Sequence, residues 1–232
     1  MEGPEWGAVV VAAGRGTRMG RPKQLLEIAG KPMLEWSLER LAAIDGVADL
    51  AIATEPDWIE RVEALAAECA SGCSIRVVAG GATRQESVRR GLAALPARAR
   101  FILVHDGARP LVRSEDVRRA MAAVAPGIGA LLATPVVDTI KQIDESGAVL
   151  RTFERARLCA AQTPQLATAD DLRRAHREAE LRGLEATDDA ALLEAAGVRV
   201  IAIEGDPENF KVTLPGDLER AEAILRKRAQ LR

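Results

Sequence analysis

The sequence has no tyrosine, two histidines and three cysteines among 232 residues. The missing tyrosine accompanies a wealth of alanine and arginine and carries little functional meaning. The other shortages exclude more. Cys69 and Cys73 lack a second ligand pair, and His105 and His176 are the only histidines, so a structural zinc site has too few ligands. An odd number of cysteines in a chain of this length argues against a disulfide framework and for a reducing compartment. No apolar stretch reaches the roughly 18 residues that a membrane span needs. No basic segment precedes the first apolar run, as a secretory signal would require. The expected location is therefore cytoplasmic. A net charge of -2 gives no global basic field for nucleic acid or an anionic membrane. Linkers rich in Pro, Gly and Ser are lacking, as are repeats, which predicts one domain over residues 1–232. What remains is a chain 48% hydrophobic and 28% charged, rich enough in apolar residues for a buried core.

Apolar runs alternate with helical patterns. Trp6 to Ala12, Ala48 to Thr54, Ser74 to Gly80, Arg100 to Asp106, Ile128 to Val136 and Val198 to Gly205 read as strands. Helical spacing appears at Leu34 to Ala42, Trp58 to Cys69, Val88 to Leu95, Glu115 to Val124, Asp170 to Leu181 and Asp188 to Ala196. Thr213 is placed to cap a last helix with Pro215 in its first turn. This alternation predicts an α/β fold, a Rossmann-like, doubly wound, mostly parallel sheet with ligands at the carboxyl ends of its strands. Residues 136–162 break the rhythm and read as a projecting β-hairpin arm with a turn at "ESG".

Charge is concentrated in one place. "AVVVAAGRGTRMGRPKQLL" carries Arg15, Arg18, Arg21 and Lys23 with no acid between Ala8 and Leu26. Like charges this close repel unless an anion joins them. The dinucleotide fingerprint fails because Met19 stands where its third glycine belongs, and the Walker pattern fails as well. Gly14 and Gly16 therefore read as a phosphate loop of another kind, with Arg18 and Lys23 as its cations. Asp106, at the end of an apolar strand in "VHDGARP", suits Mg2+, and Arg109 suits a second anion. A turn-capping Asp is the plain alternative. His105 faces the other side of the sheet and reads as a packed histidine. In "GGATRQESV", Gly80 and Gly81 can bring backbone amides to a base edge and Ser87 can add a hydroxyl. "ENFKVT" offers Lys211 beside Glu208 and Asn209, either of which could be a second metal ligand.

The ordered set "AAGRGTRMG", "GGATRQESV", "VHDGARP", "VVDTIK", "QTPQ", "TDDA" and "NFKVT" resembles the 2-C-methyl-D-erythritol 4-phosphate cytidylyltransferases of the non-mevalonate isoprenoid pathway. The first motif alone is shared with many sugar-nucleotide pyrophosphorylases. The resemblance implies a Mg2+-dependent enzyme taking CTP and a polyol phosphate, working as a homodimer whose arm reaches the partner's site. It implies that Ala12, Ala13, Gly14 and Gly16 wrap the nucleotide, with Gly80, Gly81, Arg84 and Ser87 on the cytidine side. Arg18, Lys23, Lys211 and Arg155 would be catalytic, and Asp106 the metal ligand. Asp106, Gly107, Arg109, Thr139, Arg155 and Thr187 would hold the methylerythritol phosphate. One departure is Cys159 in "RLCAAQTPQ", where this family commonly has Trp. Two alternatives stand beside this expectation. A cytidylyltransferase for another polyol phosphate, such as ribitol 5-phosphate, shares most of the motifs. A regulatory nucleotide-binding module needs neither the metal nor the leaving-group charges that Asp106, Lys23 and Lys211 supply.

Overall fold

The computed structural model describes residues 5–14 and 23–230. A seven-stranded sheet forms from β1 (Trp6–Ala12), β4 (Val47–Thr54), β5 (Ser74–Ala79), β6 (Phe101–Asp106), β7 (Ile128–Pro135), β10 (Cys159–Thr168) and β11 (Arg199–Glu204). Its order is β11-β7-β10-β6-β1-β4-β5. β1 pairs parallel with both β4 and β6, β4 with β5, and β11 with β7, whereas β10 runs against both of its neighbours. Two small antiparallel pairs lie outside this sheet. They are β2 (Glu27–Ile28) with β3 (Lys31–Pro32), and β8 (Lys141–Ile143) with β9 (Val149–Thr152).

Side-chain alternation along β1 divides the core. Val10 joins Leu34, Leu38 and Leu41 of α1 (Met33–Ala42), Val62 and Ala66 of α2 (Ile59–Cys69) and Val117 and Ala120 of α4 (Ser114–Ala122). Val9 joins Val88 and Leu92 of α3 (Arg84–Ala94), Leu172 and Ala175 of α5 (Ala169–Arg182) and Leu192 of α6 (Asp189–Ala195). Successive strand residues point to opposite faces, so a run that is apolar throughout needs helices on both sides. Each fully buried leucine of α1 contributes about 1.5–3 kcal/mol of apolar burial. The last helix, α7 (Pro215–Gln230), packs Ala221 and Leu225 against Ile28, Met33 and Leu111 in a separate cluster.

Three expectations are corrected. The main sheet holds one strand more than the apolar runs predict: β10 enters between β7 and β6 with its register broken between Ala161 and Gln165, and Pro164 sits in that break. Proline costs a ladder hydrogen bond, so an irregular register is where a sheet tolerates it. The arm is paired over a shorter stretch than residues 136–162, because only β8 and β9 pair with each other and Cys159 already belongs to β10. Thr213 does not cap α7. Its hydroxyl donates to the Lys211 carbonyl at 2.9 Å, while the Thr213 and Leu214 amides both donate to the Asp217 carboxylate at 2.8 Å.

Candidate functional site

The strand order reverses at β1, whose chain neighbour β4 lies on one side and β6 on the other. A doubly wound sheet opens a crevice at such a point, beyond the carboxyl ends of the strands. Here that crevice is a cavity of about 640 Å³. Ala13 and Gly14 line it after β1, Glu55 after β4, the segment from Gly80 to Arg84 after β5, and Asp106 at the end of β6; Lys211 closes it. Gly16 and Arg18 lie outside the described residues, as does the side chain of Lys23.

The loop after β5 is built by its own hydrogen bonds. Thr83 caps α3 by accepting from the Glu86 amide, and the Glu86 carboxylate accepts from the Ala82 amide at 2.8 Å. This is close to a capping box, with the carboxylate reaching one residue further back. The Gly80 amide donates to the Thr54 carbonyl at 2.7 Å and the Gly81 amide to Ser87 Oγ at 3.0 Å. Ser87 in turn donates to the Thr83 carbonyl. The donors expected to read a base edge are thus already engaged inside the loop. Gly80 is required by close approach, because a Cβ there would lie 2.2 Å from the Ala13 Cβ.

Asp106 is the electrostatic centre. Its Oδ1 accepts from Arg84 Nε at 3.0 Å, its Oδ2 lies 2.9 Å from Lys211 Nζ, and Arg109 Nε stands 3.8 Å away. Burial alone would push its carboxyl up. Arg84, then Lys211 and Arg109, outweigh that and hold it well below the usual carboxylate range. Its amide donates to Thr163 Oγ1 at 3.0 Å, and Thr163 Oγ1 lies 3.1 Å from His105 Nδ1. His105 Nε2 donates to the Arg109 carbonyl at 3.2 Å, since a carbonyl can only accept. That leaves Nδ1 to accept from Thr163, a consistent arrangement for a neutral ring. His105 is fully buried, and burial pushes it down to about 4, as a packed histidine requires.

Of the residues expected at the site, the cavity brings together Ala13, Gly14, Gly80, Gly81, Arg84, Ser87, Asp106 and Lys211. Ala12 is the buried last residue of β1, beneath the loop. The Arg84 side chain is committed to carboxylates, with Asp189 Oδ2 2.8 Å from its second nitrogen. Gly107 is packed against Leu34 and the Val11 carbonyl, and Arg109 donates to the Asn209 carbonyl at 2.8 Å; neither lines the cavity. Thr187 is exposed beside the cap of α6. Thr139 and Arg155 are exposed on the arm and its base, and Arg155 donates to the Val137 carbonyl and lines a different cavity with Cys159. Of the two further metal-ligand candidates, Glu208 pairs with Arg228 and Arg113. Asn209 is buried with its amide nitrogen on Gln162 and Thr163.

Asp189, His176 and Thr163 escape a reading of the sequence. Asp189 has a signal in the double acid of "TDDA". Asp188 is spent as the cap of α6, so the next residue turns inward. His176 sits at an apolar position of α5 and has none.

The model of the family described as IspD, 2-C-methyl-D-erythritol 4-phosphate cytidylyltransferase, matches residues 7–227. The chain is 44% identical to the protein of that name from Prochlorococcus marinus (strain MIT 9313), over 95% of this chain and 98% of the relative. It is 42% identical to the one from Acidobacterium capsulatum, over 95% and 97%. Among solved structures, it is similar to the cytidylyltransferase of Thermus thermophilus (TM-score 0.77, 37% identity, covering 96% of this chain and 99% of that one). It is also similar to the 4-diphosphocytidyl-2C-methyl-D-erythritol synthase of Anaerococcus prevotii (TM-score 0.85, 26% identity, covering 96% and 97%). A match that runs through every element from β1 into α7 means that the chain belongs to the 2-C-methyl-D-erythritol 4-phosphate cytidylyltransferase family.

Proposed function

We propose that this protein joins CTP to 2-C-methyl-D-erythritol 4-phosphate, giving 4-diphosphocytidyl-2-C-methyl-D-erythritol and pyrophosphate. The observation that carries this is the family match over residues 7–227. A phosphate oxygen of the acceptor attacks the α-phosphorus of CTP in line. The bond from that phosphorus to the β-phosphate oxygen breaks, and pyrophosphate leaves with its electron pair. The nucleophile is already an anion, so no residue has to take a proton. The obstacle is repulsion between two anions, and the remedy is alignment with cancellation of charge. Arg18, Lys23 and Lys211 supply positive charge around the triphosphate. Ala12, Ala13, Gly14 and Gly16 form the loop around it, and Gly80, Gly81, Arg84 and Ser87 form the cytidine side. Asp106, Gly107 and Arg109 are assigned to the acceptor side, with Arg109 Nε 3.8 Å from Asp106 Oδ2. Thr139, Arg155 and Thr187 are the acceptor's further contacts, the first two from the arm of a second copy in a homodimer. A cytoplasmic location is part of this reading and rests on the three unpaired cysteines. Among the described residues no helix is long and apolar enough to cross a membrane.

Mg2+ fits this donor set in one particular way. Among the described residues no three His, Cys, Asp or Glu side chains gather around a metal position. Asp106 offers a single carboxylate held in its ionised form, which suits a hard cation that brings substrate phosphates and water as its other ligands. Bound there, Mg2+ would neutralise triphosphate charge. Lys211 is the cation best placed to release Asp106 Oδ2, because its side chain is 39% exposed whereas that of Arg109, the other cation beside this oxygen, is 12%.

Pyrophosphate release measured with CTP and each polyol phosphate tests the assignment. The methylerythritol phosphate should exceed ribitol 5-phosphate by at least about 10^2 in kcat/KM, because a site that hydrogen-bonds substrate hydroxyls rejects one that leaves its groups unpaired. Preference for ribitol 5-phosphate would reassign the substrate, and nucleotide binding without turnover would make the protein a sensor.

A further inference from the structure

A line of polar groups runs from the catalytic cavity into the buried helical layer behind it. Lys211 Nζ meets Asp106 Oδ2 at 2.9 Å, and Asp106 Oδ1 meets Arg84 Nε at 3.0 Å. The same guanidinium meets Asp189 Oδ2 at 2.8 Å through another nitrogen, and Asp189 Oδ1 meets His176 Nε2 at 3.0 Å. Asp189 is 1% exposed and His176 2%. Asp189 is held below the usual carboxylate range because Arg84 and His176 outweigh the cost of its burial, so it only accepts and the hydrogen belongs to His176 Nε2. His176 Nδ1 has no hydrogen-bond partner within the described residues.

Packing does not account for this arrangement. His176 stands between Ala175 and Ala179 on the apolar face of α5, where leucine would bury without an unsatisfied nitrogen. Two buried carboxylates around one arginine are expensive as well, since each must leave water. Geometry explains what they achieve. Arg84 lines a cavity built for phosphates, and its third nitrogen is buried without a partner among the described residues. Tied by Asp106 alone, its long side chain could turn onto an arriving triphosphate and release the carboxylate. With Asp189 at its far end, both edges of the plane are fixed. The carboxylate of Asp189 could itself rotate, and the bond from His176 pins one oxygen and leaves the other to Arg84.

We propose that His176 and Asp189 are positioning residues that lock the Arg84 guanidinium against Asp106, keeping Arg84 off the substrate phosphates and leaving Lys211 as the cation free to move between them. The effect on rate rests on the cytidylyl-transfer reading, whereas the lock itself does not.

The test compares His176→Leu, His176→Gln and Asp189→Asn with the unaltered protein. Glutamine keeps a donor at the reach of Nε2; leucine removes it. The first readout is the Nε–H proton resonance of Arg84, identified by its loss in Arg84→Lys. It should exchange slowly with solvent in the unaltered protein and in His176→Gln, and broaden or vanish in His176→Leu. The second is pyrophosphate release. His176→Leu should lose about 10-fold in kcat while KM for CTP stays within about two-fold, and His176→Gln should recover most of it. The double variant His176→Leu/Asp189→Asn should be no slower than Asp189→Asn alone, because His176 acts through Asp189. An unchanged Arg84 resonance in His176→Leu would overturn the proposal. So would rate losses that merely follow the folded fraction by circular dichroism, with glutamine no better than leucine. If the unaltered protein released no pyrophosphate, the functional reading would fall, and the Arg84 resonance would still decide for or against the lock.

Discussion

Lys211 Nζ lies 2.9 Å from Asp106 Oδ2, a half-exposed cation resting on a nearly buried carboxylate at the wall of the cavity. The pair joins the segment after β11 to the end of β6. The lysine neutralises Asp106 in the structure, and in the function proposed above it would serve the reaction by moving to phosphate. Lys211→Ala should therefore cost on the order of 10^2-fold in kcat, as should Arg18→Ala and Lys23→Ala, through lost stabilisation of transition-state charge. The stability cost of losing so exposed a partner should stay within about 1 kcal/mol. Normal kcat with an unchanged circular dichroism spectrum would remove the residue concerned from the catalytic set.

Asp106→Asn should abolish metal-dependent turnover, because an amide has no charge with which to hold Mg2+. A titration of Mg2+ against rate decides it. If the variant reaches the unaltered rate at ordinary magnesium, Asp106 is a turn residue whose work is to satisfy Arg84.

Why most of the sheet is legible in the sequence and β10 is not follows from composition. β1, β4 and β6 are apolar on both faces, and such runs leave little doubt about burial. β10 carries Gln162, Thr163 and Gln165, all buried and all hydrogen-bonded: Gln165 to the Ala190 amide and Asp188, Gln162 to Asp206. Tertiary partners override a polar pattern that reads locally as a loop. The same reasoning covers the site. Asp106, Lys211 and the glycine loops follow strand ends, where sequence points directly at a crevice. Asp189 and His176 gain their meaning only from Arg84, which lies far from them in the chain.

His105 gives stability a pH dependence of its own. Burial pushes it down to about 4 from an ordinary 6.5. Between those values the unfolded chain binds a proton that the folded chain does not, so stability is complete above pH 6.5 and falls as the medium is acidified towards pH 4. The loss from pH 7.5 to 5 should be about 2 kcal/mol from this group alone. Denaturant unfolding at the two pH values should show that difference shrinking in His105→Gln. Equal pH dependence in both proteins would mean that His105 is charged in the fold.

Gly80→Ala should damage nucleotide binding more than folding elsewhere. The added methyl meets the Ala13 Cβ at 2.2 Å and Ser87 Oγ at 3.1 Å, which pushes the first loop away from the start of α3. The amides of Gly80, Gly81 and Ala82 are engaged within the protein, and the Ala79 and Gly80 carbonyls accept from Arg90, so the acceptors this loop has left for a base are the carbonyls of Gly81 and Ala82, two residues that line the cavity. These carbonyls suit the 4-amino group of cytosine and oppose the 4-oxo group of uracil. The unaltered protein should thus favour CTP over UTP by about 10^2 or more in kcat/KM. Comparable values for the two nucleotides would show that the loop does not read the base.

The arm decides whether a site belongs to one chain or two. Val137, Ile143, Val149 and Leu150 are 58–81% exposed on it, an apolar surface that a short two-stranded ribbon cannot bury by itself. Arg155 and Thr139 stand outside the cavity of their own chain. If the arm lies across a second copy, Arg155 serves the partner's site while Lys23 serves its own. A Lys23→Ala chain and an Arg155→Ala chain, each nearly inactive alone, should then be unfolded and refolded together. Under two-fold symmetry about half of the dimers are mixed, and each mixed dimer holds one site lacking both residues and one site lacking neither. About a quarter of the unaltered activity should return. Were both residues to serve the same chain, every site would lack one of them, and mixing would restore nothing.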